Sequence, residues 1–172
     1  MTYFVRLIHA LSRLCGIVAV VLIAVSVAVV CHMVFVRAVL GWSVIWQTEF
    51  VTFSLVGATF IGAPYVLLTR GHVNVELVPL YAGHRARVAL ALFASAAALL
   101  FCLAVLWNGV GWWWEAYSKH WTTDSMWRLD LWIPYLSLPV GMAILALQYV
   151  ADIYCIATGR DMPFGLAPKE RP

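Results

Sequence analysis

The chain alternates between long runs of apolar residues and short polar connections. Residues 14–36, 50–69, 88–114 and 131–151 contain no Asp, Glu, Lys or Arg. At about 1.5 Å of rise per residue, each run is long enough as a helix to cross a hydrocarbon core of about 30 Å. The pattern therefore predicts an all-α integral membrane protein with four transmembrane helices, the last of which continues to about residue 157.

The two ends of the chain differ from this central part. In residues 1–13 apolar side chains recur at helical spacing, with Arg6 and Arg13 between them. This pattern is typical of an amphipathic helix that lies on a membrane surface. We therefore expect an interfacial segment over 1–13, a single four-helix membrane domain over 14–157, and a polar tail over 158–172.

Composition and charge support a membrane protein and indicate its orientation. Hydrophobic residues make up 64% of the chain and charged residues 11%, which is too little polar surface for a soluble globule of this size. Most of the Lys and Arg fall on the side that holds both termini, which predicts cytoplasmic N and C termini. The net charge of +3 thus reflects topology. We expect membrane lipids as partners and no nucleic acid.

Tryptophan is concentrated in the parts of the chain that we expect in or near the non-cytoplasmic half of the membrane. Trp prefers the membrane interface, where its ring is apolar and its N–H can be hydrated. Aromatic residues are also enriched at binding hot spots, so this face could instead dock a protein outside the membrane. The candidate docking residues are Trp42, Trp46, Trp113, Trp121 and Trp127.

The second run carries a stripe of small residues. Ser54, Ala58 and Gly62 recur every four positions, and small residues let helices approach closely in lipid. The stripe is a candidate packing face, either within this bundle or against another subunit. Pro64 removes a backbone hydrogen bond in the same run and should bend the helix, and Pro139 could do so in the fourth run.

The chain offers little for chemistry inside the membrane. The charge-free runs contain one histidine, His32, whereas ion and substrate pathways are usually marked by several buried ionisable groups. A b-type haem would need paired histidines at a common depth, and a disulfide catalyst would need paired cysteines, and neither pairing is present. We therefore predict no enzyme activity, no catalytic residue, no cofactor and no metal site.

Polar residues mark the ends of the second run. Glu49 at its start and Arg70 at its end complement the helix dipole, and Gly71 stands where a C-terminal cap is common. Capping does not explain why the polar pattern continues through His72 to Glu76.

Short motifs across nearly the whole chain carry a family resemblance. They are WQTE at 46–49, LVGA at 55–58, RGHVNVE at 70–76, LDLWIP at 129–134 and LPVG at 138–141. With these motifs, the chain resembles the small membrane subunit, DctQ-like, of tripartite ATP-independent periplasmic (TRAP) transporters. It departs from the family at Glu76, where Asp is more common and the charge is the same.

The resemblance implies a role in sodium-driven uptake of an organic acid, such as a carboxylate or dicarboxylate, without ATP. A periplasmic binding protein would deliver the solute, and a large multi-span permease subunit would hold the solute and sodium sites. This chain would be a scaffold subunit in the bacterial inner membrane. The polar residues of the family motifs are Glu49, Arg70, Gly71, His72 and Glu76. For Glu49 and His72 we expect a positioning role and no transport chemistry.

Two other functions stay open at the level of sequence. A stand-alone four-helix channel or exporter would act as a homo-oligomer and line its pore with polar residues such as Thr52, Ser54 and Thr59. A membrane anchor for a redox complex is disfavoured by the scattered histidines.

Overall fold

A computed structural model of the chain describes residues 2–42, 45–69 and 84–157. The described residues form one helix after another. In chain order these are α1 (Thr2–Phe35, extended by a π-helical turn at Val36–Leu40), α2 (Trp46–Leu68), α3 (His84–Ser118), α4 (Trp132–Tyr135) and α5 (Ser137–Ala157). The fold of the described part is therefore all-helical, as predicted.

In the part of the chain that the structure describes, four helical stretches are long and apolar enough to cross a membrane. They are Tyr3–Leu40, Trp46–Leu68, Val88–Ser118 and Trp132–Ile156. This finding confirms the predicted four-helix membrane architecture. The cytoplasmic position of the termini stays a prediction.

The first helix begins earlier than the charge-free run suggests. Residues 2–13 form the first turns of α1 and continue into the apolar stretch without a break, so they are not a separate helix. Ile8 and Ser12 from this segment are buried. Charged side chains end a charge-free run but not a helix, because only the backbone hydrogen bonds must continue. The surface position predicted for residues 1–13 stays a prediction.

The last helix lies at the centre of the molecule. α5 packs against α1, α2 and α3, whereas α3 packs chiefly against α5 and α4. In the most apolar 18-residue stretch of Trp132–Ile156, half of the residues are buried within the chain. In the corresponding stretch of Val88–Ser118 the buried share is 11%. α3 is therefore the peripheral helix, attached through a small core of Cys102, Leu145 and Ala146.

The prolines of the fourth span mark its beginning. A short helix, α4, holds Pro134, and a single residue, Leu136, separates it from α5. Pro139 is the third residue of α5, where its missing N–H would have no partner within the helix. The interruption expected at Pro139 therefore lies before it, between α4 and α5.

Candidate functional site

The crossing of α2 and α5 is built around a proline and a glycine. Pro64, buried inside α2, has no N–H, so the Phe60 carbonyl lacks its usual helical donor. Gly141 of α5 lies directly against that carbonyl, and a Cβ at this position would overlap the Phe60 backbone. Contacts between Cα–H and carbonyl groups recur where helices pack closely. Inside a membrane no water molecule can hydrogen-bond to this carbonyl. The close packing of Gly141 covers it, so that it does not face lipid.

The predicted stripe of small residues lies inside the chain's own bundle. Ser54 and Ala58 are buried. A Cβ built at Gly62 would come within 3.1 Å of Ala19 Cβ on α1. In this structure the stripe thus helps α1 and α2 to approach each other, and it leaves little surface for a second subunit.

A buried polar network joins α1 to α5 near the C-terminal end of α5. The Ser12 hydroxyl donates to Gln148 Oε1 at 3.0 Å, and Gln148 Nε2 donates to Asp152 Oδ1 at 3.1 Å. Ser12 and Gln148 are fully buried. Sequence reasoning missed this network, although Gln148 gives a signal as the one amide in an otherwise apolar run.

A second polar cluster joins α1 to α2 at the other end of the bundle. The amide Nε2 of Gln47 lies 2.7 Å from His32 Nδ1, and Gln47 is only 1% exposed. This side-chain hydrogen bond makes His32 a structural partner of Gln47 that links α1 to α2.

Glu49 belongs to the same end of α2. It lies in the first turn, where a carboxylate complements the helix dipole. Its Oε2 and the Oε1 of Gln47 are both buried, and neither has a hydrogen-bond partner among the described residues.

Aromatic side chains cluster around the connection between α3 and α4. Trp113 stacks on Tyr117 with ring centroids 5.8 Å apart, and Tyr117 meets Trp132 edge-on at 5.9 Å. Trp46 of α2 reaches this connection, where its ring lies 6.2 Å from that of Trp127.

The structure brings the predicted Trp docking residues only partly together. Trp46 and Trp127 touch each other, and Trp113 belongs to the adjoining Tyr117 cluster. Trp121 has the Lys119 ammonium over its ring at 6.0 Å. Trp42 is 67% exposed and shares no ring contact with the others.

Several sequence-predicted residues lie outside the described part of the chain. These are Arg70, Gly71, His72 and Glu76 of the family motif, together with the tail at 158–172. Within the described ranges, no group of three His, Cys, Asp or Glu side chains could hold a metal ion.

The outward face of α3 shows a regular alternation of large and small residues. Large side chains recur every seven residues and small ones lie between them, and all are exposed on the isolated chain. The large members are Phe93, Leu100, Trp107 and Trp114, and the small members are Ala97, Ala104 and Gly111. We call this set the α3 stripe. Seven-residue spacing is the pattern by which one helix fits its side chains between those of another.

Comparison with known proteins identifies a family and one relative. A family model described as "Tripartite ATP-independent periplasmic transporters, DctQ component" matches residues 26–159. The C4-dicarboxylate TRAP transporter small permease protein DctQ of Vibrio cholerae serotype O1 is 24% identical over 148 residues, covering 74% of this chain. The match spans 64% of that relative's length. No solved structure matches the chain.

Proposed function

We propose that this chain, which belongs to the DctQ component family of tripartite ATP-independent periplasmic transporters, is a static scaffold for the moving parts of its transporter. The family and the four apolar helices make it a multi-pass protein of the inner membrane. A transporter component is not an enzyme, so the prediction of no enzyme activity is confirmed.

The transported solute in this proposal is an organic acid, most simply a C4-dicarboxylate as in the relative from Vibrio cholerae. Uptake would be driven by a sodium gradient. A binding protein outside the membrane would deliver the solute to a large multi-span permease subunit. That subunit, and not this chain, would hold the solute and sodium sites.

The observation that carries the scaffold role is how the polar groups inside the bundle are used. Ser12 and Gln148 bond to each other, and Gln47 bonds to His32. These bonds tie α1 to α5 and α1 to α2. The contact of Gly141 with the Phe60 carbonyl holds α2 and α5 at close range. A frame fixed in this way suits a partner that moves against it.

A channel formed by this chain alone gains no support from the same observations. The hydroxyls of Thr52 and Thr59 donate to carbonyls of their own helix, at Thr48 and Leu55. Ser54, the third candidate for a pore lining, is buried within the chain.

The α3 stripe is the surface on which we expect the large subunit to dock. An exposed apolar helix face would by itself be equally suited to contact with lipid, since the lipid-facing surface of a membrane protein is apolar. What distinguishes α3 is an alternation whose large members are Phe, Leu and Trp, because small residues admit a neighbouring helix and large ones fill the gaps between its side chains. The outer face of α1 has a milder alternation, with Val20, Val27 and Val34 exposed and Ala24 and Cys31 between them, but its large members are all valines.

Co-purification tests the scaffold role and the docking face separately. The tagged chain is expressed with the whole transport operon, solubilised in mild detergent and examined for a large multi-span partner. The wild-type chain should recover that partner in a roughly stoichiometric amount. Ala104→Trp, which blocks a gap in the α3 stripe, should lower recovery about tenfold, the result of losing about 1.4 kcal/mol. Ala28→Trp on α1 is the matched control and should leave recovery unchanged.

The possible outcomes distinguish the two claims. If the wild-type chain recovers no large partner, the scaffold role is wrong. If the wild type recovers the partner and Ala104→Trp does so equally well, the scaffold role survives and the docking face lies elsewhere.

A further inference from the structure

A cleft runs between α1 and α2 at the end of the bundle where α2 finishes. Its volume is about 620 Å³. Ile17, Val20 and Val21 form its wall on α1, and Tyr65 and Leu68 form its wall on α2. These three α1 side chains are exposed on the isolated chain, so the cleft opens toward the surrounding membrane.

A glycine shapes this cleft. The ring of Tyr65 lies directly on Gly16, and a Cβ at that position would overlap the ring. Both residues line the cleft. The contact brings α1 and α2 together on one side of the cleft, while the larger residues Ile17 and Val20 border the rest of it.

Arg13 is the charged group among the described residues that line the cleft. Among the described residues it makes no ion pair, and its side chain is exposed. The preceding residue, Ser12, is buried against Gln148 of α5, so Arg13 lies on a different side of α1. Two other lining residues are polar: the Thr69 hydroxyl donates to the Tyr65 and Val66 carbonyls of its own helix, and Tyr65 adds a phenolic hydroxyl, which carries no positive charge. Arg13 is therefore the cation that the described lining offers to an anionic ligand.

We propose that this cleft binds one anionic phospholipid, with an acyl chain against Ile17, Val20 and Val21 and its phosphate on Arg13. The rise of α1 from Arg13 to Val21 is about 12 Å, close to half of a hydrocarbon core of about 30 Å. A single leaflet has this depth, so an acyl chain can lie in the cleft while its headgroup reaches the guanidinium.

The chemistry favours an anionic headgroup over a zwitterionic one. A guanidinium pairs with phosphate oxygens through two parallel hydrogen bonds. Basic residues beside a membrane span attract anionic lipids, and one such residue accounts for about a fivefold difference in binding. The same cleft bordered by apolar residues alone would accept any lipid tail. The proposal does not depend on which leaflet faces the cytoplasm, nor on the transport role.

Native mass spectrometry of the full chain in mild detergent tests the proposal. Phosphatidylglycerol and phosphatidylcholine with identical acyl chains are titrated against the wild-type chain and four variants. One molecule of phosphatidylglycerol should bind in preference to phosphatidylcholine. Arg13→Gln should weaken that binding about fivefold, whereas Arg13→Lys should retain part of it. Arg6→Gln is the matched control, because Arg6 is exposed on the same helix but does not line the cleft.

A fourth variant, Val20→Trp, tests the position of the acyl chain. It fills the cleft from an exposed position on α1 and should abolish the bound lipid while leaving the folded chain intact. Equal binding of the two lipids, equal loss in Arg6→Gln and Arg13→Gln, or unchanged binding in Val20→Trp would each overturn the proposal. The same variant is also examined by co-purification with the transport operon: unchanged lipid binding together with loss of the large subunit would show that a protein helix occupies the cleft.

Discussion

Replacing Gly141 by alanine should destabilise the bundle by forcing α2 and α5 apart. The added methyl group would overlap the carbon and oxygen of the Phe60 carbonyl and lie 3.1 Å from the Ile61 nitrogen. These are backbone atoms, which cannot rotate away as a flexible side chain would. Overpacking of this kind costs about 1–3 kcal/mol, and alanine recovers about 1 kcal/mol of helix propensity over glycine. Because the overlap is with backbone atoms, the cost should lie at the upper end of that range, which leaves a net loss of about 2 kcal/mol in the free energy of unfolding.

Gly111 of α3 provides the matched control for this substitution. A Cβ built there meets no atom within 4 Å. Gly111→Ala should therefore leave stability unchanged or raise it by about 0.5–1 kcal/mol through propensity alone. Both variants and the wild-type chain are unfolded reversibly in the same detergent, and their free energies of unfolding are compared. A Gly141→Ala chain as stable as Gly111→Ala would refute the close contact with Phe60.

Three further predictions follow from the polar groups and the charge pattern. Ser12→Ala leaves Gln148 Oε1 buried without its donor and should lower the free energy of unfolding in detergent by about 0.6–2 kcal/mol. This loss should not add to that of Gln148→Leu, and additive losses would argue against the hydrogen bond. Gln47→Leu should cost about 0.5–1.5 kcal/mol by removing the bond to His32, and a double-mutant cycle with His32→Ala should recover that coupling; a coupling energy of zero would show that the pair is not formed. A cysteine placed at Lys169 should react with an impermeant thiol reagent only after the membrane is opened, and reaction in intact cells from the periplasm would reverse the predicted topology.

The number and class of the helices could be predicted from the sequence because lipid imposes a simple rule. A run of apolar residues must be long enough to cross the core and must satisfy its backbone as a helix. The positions of the helix ends were harder to predict from the sequence. α1 begins at Thr2 and α3 reaches Ser118 because charged or polar residues at an interface do not interrupt backbone bonding.

The packing partners could be predicted only in part. The stripe at Ser54, Ala58 and Gly62 is visible in the sequence, but its neighbour Ala19 is distant along the chain and shares no pattern with it. The contact of Gly141 with Phe60 depends on the depth at which two helices cross. That depth follows from the tertiary arrangement and not from spacing along one helix.

The two hydrogen-bonded polar pairs could not be predicted from the sequence, for a related reason. Nothing in the spacing along the chain links Ser12 to Gln148 or Gln47 to His32. The pairs become interpretable when α1 is seen to approach α5 at one end and α2 at the other. The family motif WQTE thereby acquires a structural reason for one of its members, since Gln47 is the residue that holds His32.

Transport in reconstituted vesicles tests the central claim most directly. The large permease subunit is reconstituted with and without this chain, and uptake of a C4-dicarboxylate is measured with the binding protein outside and an inward sodium gradient. The scaffold role predicts uptake only when both membrane subunits are present, and no flux through vesicles that contain this chain alone. Full uptake without this chain, or flux through this chain by itself, would contradict it.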